Sequence, residues 1–323
     1  MKKILITGFS GFVSAHYLHY LEKNKIQCEI IGIDVNRPDF KFSNTKYLEV
    51  NFNKYDLLES ENIEKTLFSF QPDYVLHLAS YSSVAYSWKN PSLSFQNNII
   101  IFLNLMEVIR KVCPLCRILS VGSSEEYGNY TQNMLPIKEE YPLNPVSPYG
   151  VARVSQEQLS KVYCNGFNID IILTRSFNHI GPGQKDVFVI SSLAKQLVKI
   201  KKGIEKENTI RTGDITIVRD FLDVRDVVDA YHKLFQHGKS GEVYNVCGGM
   251  GTSIEEILKI ITGILNIDID IEIDKELLRP NDNKVIIGSN EKLQQTTGWQ
   301  RKIPLKQSLE DIIAFWDEKL IKE

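Results

Sequence analysis

The chain has 323 residues, with 38 Lys and Arg against 40 Asp and Glu, a formal net charge of −2, 43% hydrophobic and 24% charged residues. That is an ordinary globular composition, long enough for a sizeable core in one large or two moderate domains. Its balanced charge gives no reason to expect nucleic acid or an anionic membrane as partner. The longest apolar run, NIIIFLNLMEVI after Asn97, is shorter than the roughly 20 residues of a membrane span. The N-terminal MKKILITGF lacks a small-residue cleavage site, so no signal peptide is expected. Five cysteines, an odd and sparse set, fit a reducing, cytoplasmic setting.

In chain order, KKILITGFSGFVSAHYLHYLEKN reads as a strand, a glycine turn and a helix, and CEIIGID as a second strand ending in Asp34. This βαβ unit has the length of a dinucleotide-binding fingerprint. Gly8 permits the tight turn, and Gly11 lets the backbone approach a pyrophosphate at the helix N-terminus. Ser14, at the third fingerprint position, is small enough for the helix to pack close. Asp34 stands where a carboxylate accepts hydrogen bonds from the adenosine ribose diol and repels a 2′-phosphate, which favours NAD over NADP. Arg37 works against that choice, because it can serve a 2′-phosphate.

Strands KYLEVNF, DYVLHLAS and RILSVGSS, and IDIILTRSFN as a strand running into a loop, then alternate with helices over IEKTLFSF, 92–112 and 149–165. Helices between buried apolar strands predict an α/β, Rossmann-type, doubly wound parallel sheet. After about residue 176 the pattern becomes mixed α/β, with helices at 188–202, 224–237, 253–265 and 306–320, and extended segments around 209–224, GEVYNVCGG and IDIEIDKELLRPNDNKVIIGSN. No repeat, low-complexity segment or flexible linker interrupts it. Cys113 and Cys116 form a CxxC between a helix and a strand. No second Cys or His pair sits at ligand spacing, so they read as two structural thiols and no metal is expected. His16 reads as a partly exposed helix residue and His77 as a core histidine.

SPYGVARVSQEQL places Tyr149 at the opening of a helix, with Arg153 at i+4 on the same face. A cation there favours a phenolate, unless it points to solvent. Ser123, Ser124 and Glu125 close the strand RILSVGSS at its C-terminal end, where a doubly wound sheet opens its ligand crevice. The hydroxyls of Ser123 and Tyr149 can therefore converge on one carbonyl or alcohol oxygen. If a hydride arrives at that carbon, the tyrosine protonates the forming alkoxide, and in reverse the phenolate takes the proton. Arginine stays protonated at all useful pH, so Arg153 supplies a charge but passes no proton on.

The segments ITGFSGFV, PDYVLHLAS, GSSEEYG, SPYGVAR and VRDFLDVRDVVDAY resemble the extended short-chain dehydrogenase/reductase family of nucleotide-sugar enzymes over nearly the whole chain. GSSEEYG, SFNHIGPGQ, GEVYNVCGG and LRPNDNKVIIG are similar to its GDP-sugar branch, the 4-keto-sugar reductases and GDP-mannose 4,6-dehydratases. The resemblance implies a NAD-binding domain over 1–176, part of 209–250 returning to it, and a mainly sugar-nucleotide-binding region over 177–323. It puts Ser123, Tyr149 and Arg153 at the family's Ser/Thr, Tyr and Lys positions, so the arginine is a departure. Glu125 falls at the dehydratase base, preceded by Ser124 on the substrate side. It implies cofactor contacts from Gly8, Ser10, Gly11, Phe12, Val13, Asp34, Asn51, Phe52, Leu78, Ala79, Ser80 and Asn98, besides Tyr149 and Arg153. Asn178, Lys195, Arg219 and Arg279 would face the diphosphate side of the substrate.

The expected reaction is reduction of a GDP-linked 4-keto-6-deoxy sugar, with NAD preferred to NADP. A 4,6-dehydratase, or a C4 dehydrogenase or epimerase with tightly held NAD, is the alternative. The joint presence of Ser123, Tyr149, Arg219 and Arg279 argues against a non-catalytic NAD-binding regulator. The family implies a homodimer through helices 92–112 and 149–165, with Ile101, Leu105 and Val108 as candidate contacts unless they are core.

Overall fold

The computed structural model describes residues 1–278 and 283–322. Its first half comprises β1 (Lys2–Thr7), α1 (Phe12–Lys23), β2 (Cys28–Asp34), β3 (Leu48–Lys54), α2 (Ser60–Phe70), β4 (Tyr74–His77), α3 (Val84–Lys89), α4 (Pro91–Phe95), a π-helical turn (Gln96–Ile100), α5 (Ile101–Val112), β5 (Arg117–Ser123), α6 (Pro148–Phe167) and β6 (Asp170–Ser176). There follow β7 (Asn178–Ile180), α7 (Val189–Lys201), β8 (Thr209–Thr212), β9 (Val218–Asp223), α8 (Val224–His237), β10 (Val243–Val246), β11 (Gly251–Ser253), α9 (Ile254–Leu265), β12 (Asp270–Ile273), β13 (Val285–Ile286), α10 (Glu291–Thr297) and α11 (Leu305–Lys322).

The main sheet has seven strands in the order β10-β6-β5-β4-β1-β2-β3, and every pairing in it is parallel. This is the doubly wound Rossmann arrangement. The order in which strands are added reverses between β1 and β4, and the crevice at that switch point lies beyond the C-terminal strand ends. The strands read as unbroken apolar runs because both faces are covered. Ile4 and Ile6 of β1 pack with Tyr17 and Leu21 of α1 and with Val227 and Tyr231 of α8. Leu5 points the other way, into Leu67, Phe102, Leu105 and Met106. α8 and β10, although late in the chain, thus belong to the main layers.

The remaining late elements form a smaller mixed region. β9 pairs with β7, β11 and β13, and β8 with β12. α7, α9 and α11 enclose their own core of Leu193, Leu197, Ile257, Ile261, Leu309, Ile312 and Trp316. The segment 169–178, read as a strand running into a loop, holds β6 and then enters β7, which joins a different sheet.

Two expectations need correction. The apolar run after Asn97 lies inside a continuous helix, Pro91–Val112, whose 22 residues are long and apolar enough to cross a membrane. Length alone therefore does not exclude a span. Instead, Phe102, Leu105, Met106 and Ile109 are completely enclosed, the packing of a core helix. Ile101, Leu105 and Val108 are 5%, 0% and 2% exposed, so they are core and not candidate dimer contacts. Cys113 and Cys116 are free, buried thiols.

Candidate active site

The glycine turn follows β1. Gly8 has φ 69°, and a Cβ there would lie 2.6 Å from the Ala79 amide nitrogen, so the turn presses on the Leu78–Ala79 backbone. Only glycine meets both demands. The buried Ser14 donates from Oγ to the Gly8 carbonyl at 3.2 Å, which ties helix to turn. α1 starts on Gly11 without a side-chain cap, so the first amides of Phe12 and Val13 suit an anionic ligand. These residues fit a dinucleotide pyrophosphate. Asp34 already accepts two backbone amides, from Ser10 and Asn36, each at 3.0 Å.

Phe52 stacks on Phe9, which also meets Phe40 and Phe42. This aromatic cluster anchors the loop after β2, with Arg37 exposed on it. Asn51 is exposed in the middle of β3. Ser80 is half-buried just beyond β4. Asn98 is buried in the π-helical turn; its Nδ2 donates to the Ser94 carbonyl at 2.6 Å, and its Oδ1 has no partner.

Ser147 caps α6 by accepting the Gly150 amide at 3.0 Å, and Pro148 occupies the first turn. A Cβ on Gly150 would lie 2.7 Å from the Glu125 carbonyl oxygen, so the helix start sits against the turn after β5. Tyr149 is 5% and Arg153 4% exposed. Arg153 Nε donates to Tyr149 Oη at 3.1 Å. Its Nη1 donates to the Val121 carbonyl at 3.1 Å and to Gln156 Oε1 at 2.6 Å. Gln156 in turn donates to Ser120 Oγ at 3.0 Å. Arg153 therefore does not point to solvent: it is a buried cation whose hydrogen-bond acceptors, a phenol, a carbonyl and an amide, are all neutral.

Ser123 ends β5 in register with Ser176 of β6. Its Oγ accepts the Glu125 amide at 3.2 Å, and its own amide donates to Glu126 Oε1 at 2.7 Å. Together these form a capping box around a single 3₁₀ turn, Ser124–Glu126. Ser124 is buried there and Glu125 half-buried. His77, at the end of β4, meets Thr7 Oγ1 at 2.8 Å through Nδ1. Burial, aided by the Arg153 charge, lowers its pKa to about 3, so the ring is neutral.

The residues read as substrate-facing separate. Asn178 opens β7, half-buried and paired with Phe221. Arg219 is buried on β9 and donates to the Asn283 carbonyl at 2.7 Å. Lys195 instead pairs with Asp186 at 2.7 Å and lies 4.9 Å over the Trp316 ring. Arg279 lies outside the described residues. The sequence reading missed Gln156 and Glu126. Both had a signal: Gln156 follows Arg153 by three on one helix face, and Ser123-x-x-Glu126 is a capping-box spacing.

A parallel sheet with a glycine turn at its switch point, and a Tyr–Arg helix face beside a serine-ended strand, define an NAD(P)-dependent enzyme of the extended short-chain dehydrogenase/reductase class. A family model described as GDP-mannose 4,6 dehydratase matches residues 5–312, and the chain belongs to that family. It is 33% identical over 322 residues to a GDP-6-deoxy-D-mannose reductase of Pseudomonas aeruginosa, covering 100% of this chain and 99% of the relative. A solved structure of RMD from Pseudomonas aeruginosa complexed with NADPH superposes with a TM-score of 0.85 at 33% identity, covering 99% of this chain and 100% of that one. UDP-glucose 4-epimerase of Thermotoga maritima with UDP-glucose gives 0.85 at 26% identity, over 98% and 99%. The ranking of NAD above NADP does not stand, because a similar full-length structure holds NADPH.

Proposed function

We propose that this protein reduces a GDP-linked 4-keto-6-deoxy hexose at C4. The observation that carries the reading is the buried Tyr149–Arg153 contact, in a chain similar end to end to a protein named as a GDP-6-deoxy-D-mannose reductase. The bound dinucleotide supplies the hydride. Ser123 Oγ and Tyr149 Oη hold the carbonyl oxygen, and Tyr149 gives its proton to the alkoxide as charge develops. Arg153 stabilises the negative charge left on the phenol. Arg219 faces the diphosphate.

Glu125 supports a second reading, a 4,6-dehydratase, because it follows Ser123 by two residues in the turn against which α6 starts. Incubation with each sugar, read by nicotinamide absorbance and mass spectrometry, separates the two. Stoichiometric cofactor consumption with the 4-keto sugar supports the reductase. Loss of water from GDP-mannose without net cofactor change supports the dehydratase, and silence with every GDP-sugar refutes both.

For the cofactor we infer that NADPH is used at least as well as NADH, since Arg37 stands exposed on the loop anchored by Phe40 and Phe42. Turnover with each at equal concentration tests this. We further infer a cytoplasmic homodimer. Leu93, Phe95, Ile100, Val151, Val162 and Phe167 leave apolar surface exposed on the helical stretch 91–112 and on α6. A monomer in sedimentation at assay concentration would refute the dimer.

A further inference from the structure

Behind the reacting side chains lies a buried group of charges that the mechanism above does not use. Glu126 is 0% exposed. Its Oε1 takes the Ser123 amide at 2.7 Å. Gly122 leaves room for it: a Cβ there would lie within bonding-clash range of that oxygen, so the carboxyl occupies the space a side chain at 122 would need. Its Oε2 has no hydrogen-bond partner and lies 4.0 Å from Arg175 Nε.

Arg175, on β6, is itself buried. Its Nε and Nη2 hold the two oxygens of Glu157, each at 2.8 Å. Its Nη1 donates to the Glu139 carbonyl at 2.9 Å, and its plane lies 4.7 Å over the Tyr127 ring. Glu157 stands on α6 one turn beyond Arg153, and also pairs with Lys161 at 2.8 Å. One guanidinium therefore grips the helix that carries Tyr149 and sits beside the carboxyl that holds the Ser123 backbone.

We propose that Glu126 is a positioning residue for Ser123: its carboxyl fixes the Ser123 backbone, and so the aim of Oγ toward Tyr149, against the same arginine that anchors the Tyr149 helix. This rests on the reading that Ser123 and Tyr149 act together. The spacing matters because a displacement of about 1 Å between reacting groups can cost about 100-fold in rate. The role needs an acceptor oxygen at one place and no charge. Burial first, and the Glu157 charge second, push the Glu126 pKa well above the carboxylate range. Arg175 and Lys161 outweigh burial at Glu157 and hold it down at about 2.

The test compares three substitutions. Glu126→Gln keeps the acceptor oxygen and carries no charge, Glu126→Asp withdraws the oxygen by one methylene, and Glu126→Leu removes it. We expect the Gln variant to keep kcat within about twofold, and the Asp and Leu variants to lose about 10- to 100-fold with KM for both substrates unchanged. In a Ser123→Ala background the Asp substitution should cost nothing more. A folded Asp or Leu variant with normal kcat, a Gln variant as impaired as Asp, or full additivity with Ser123→Ala would overturn the proposal. If Ser123→Ala alone leaves turnover unchanged, the functional reading fails instead.

Discussion

Arg153→Met is the most direct probe of the reaction centre. Methionine keeps most of the apolar stem and removes the charge. In the native protein Nε stands 3.1 Å from the phenol oxygen, and the guanidinium carbon 5.2 Å from the ring centroid. Two unit charges about 4 Å apart, at an effective dielectric of about 20, interact by about 4 kcal/mol. A phenol about half-way through giving up its proton carries about half a charge, so the substitution removes about 2 kcal/mol of transition-state stabilisation, or about 30-fold in kcat. Arg153→Lys restores the charge but not the planar fork whose Nε reaches Tyr149 while Nη1 reaches Val121 and Gln156. It should therefore fall between the two. The assay is steady-state turnover with the 4-keto sugar and saturating NADPH, beside a cofactor-binding titration. A folded, cofactor-binding Met variant with kcat within about twofold of the native enzyme would refute the electrostatic role of Arg153.

Two other outcomes follow from the same geometry. Tyr149→Phe should abolish hydride transfer and leave dinucleotide affinity intact in a fluorescence titration; unchanged turnover removes Tyr149 from the mechanism. His77 has a folded pKa of about 3, below the ordinary value of about 6.5, so the unfolded chain binds the extra proton between them. Its contribution to stability is complete above about pH 6.5 and is lost as pH falls toward 3, about 2 kcal/mol of it by about pH 5. His77→Gln should lose correspondingly less stability between neutral and acid denaturant melts, and an equal loss in both proteins contradicts this.

The legible part of this protein was local. Ile4, Leu5 and Ile6, then Gly8, Gly11 and Asp34, spell strand, turn, helix and strand within thirty-odd residues, because burial on both sheet faces and a positive φ each leave a residue-type signature. The Tyr149–Arg153 contact is one helical turn and was equally readable. What surrounds it was not. Gln156 meets Ser120 across 36 positions, and Glu157 meets Arg175 across 18, contacts that only the packing of α6 on β5 and β6 creates. The helix 91–112 misled because it is apolar on more than one side, so periodicity could not tell core from surface. Lys195 illustrates the opposite limit: a lysine in a suggestive place found its acid nine residues away.

Arg153 and Arg175, two of the buried arginines, are compensated unequally, and that inequality is the design of the site. Desolvating a guanidinium costs several kcal/mol even after relaxation. At Arg175 the bidentate Glu157 offsets that cost. Arg153 donates only to a phenol, a carbonyl and an amide, so in the proposed mechanism its counter-charge arrives when Tyr149 gives up its proton. On that proposal the fold holds a charge whose partner exists only during the reaction, the preorganised arrangement that favours a transition state over a ground state. Such a site should sacrifice stability for rate. Arg153→Met alone leaves Gln156 Oε1 without its donor, at about 1–3 kcal/mol. Pairing it with Gln156→Leu removes that orphan, although the Val121 carbonyl then loses both of these side-chain donors, so the double variant should be no less stable than Arg153→Met in denaturant melts while turning over no faster than it. A double variant clearly less stable than Arg153→Met would mean that the orphaned Gln156 amide is not what the single substitution costs.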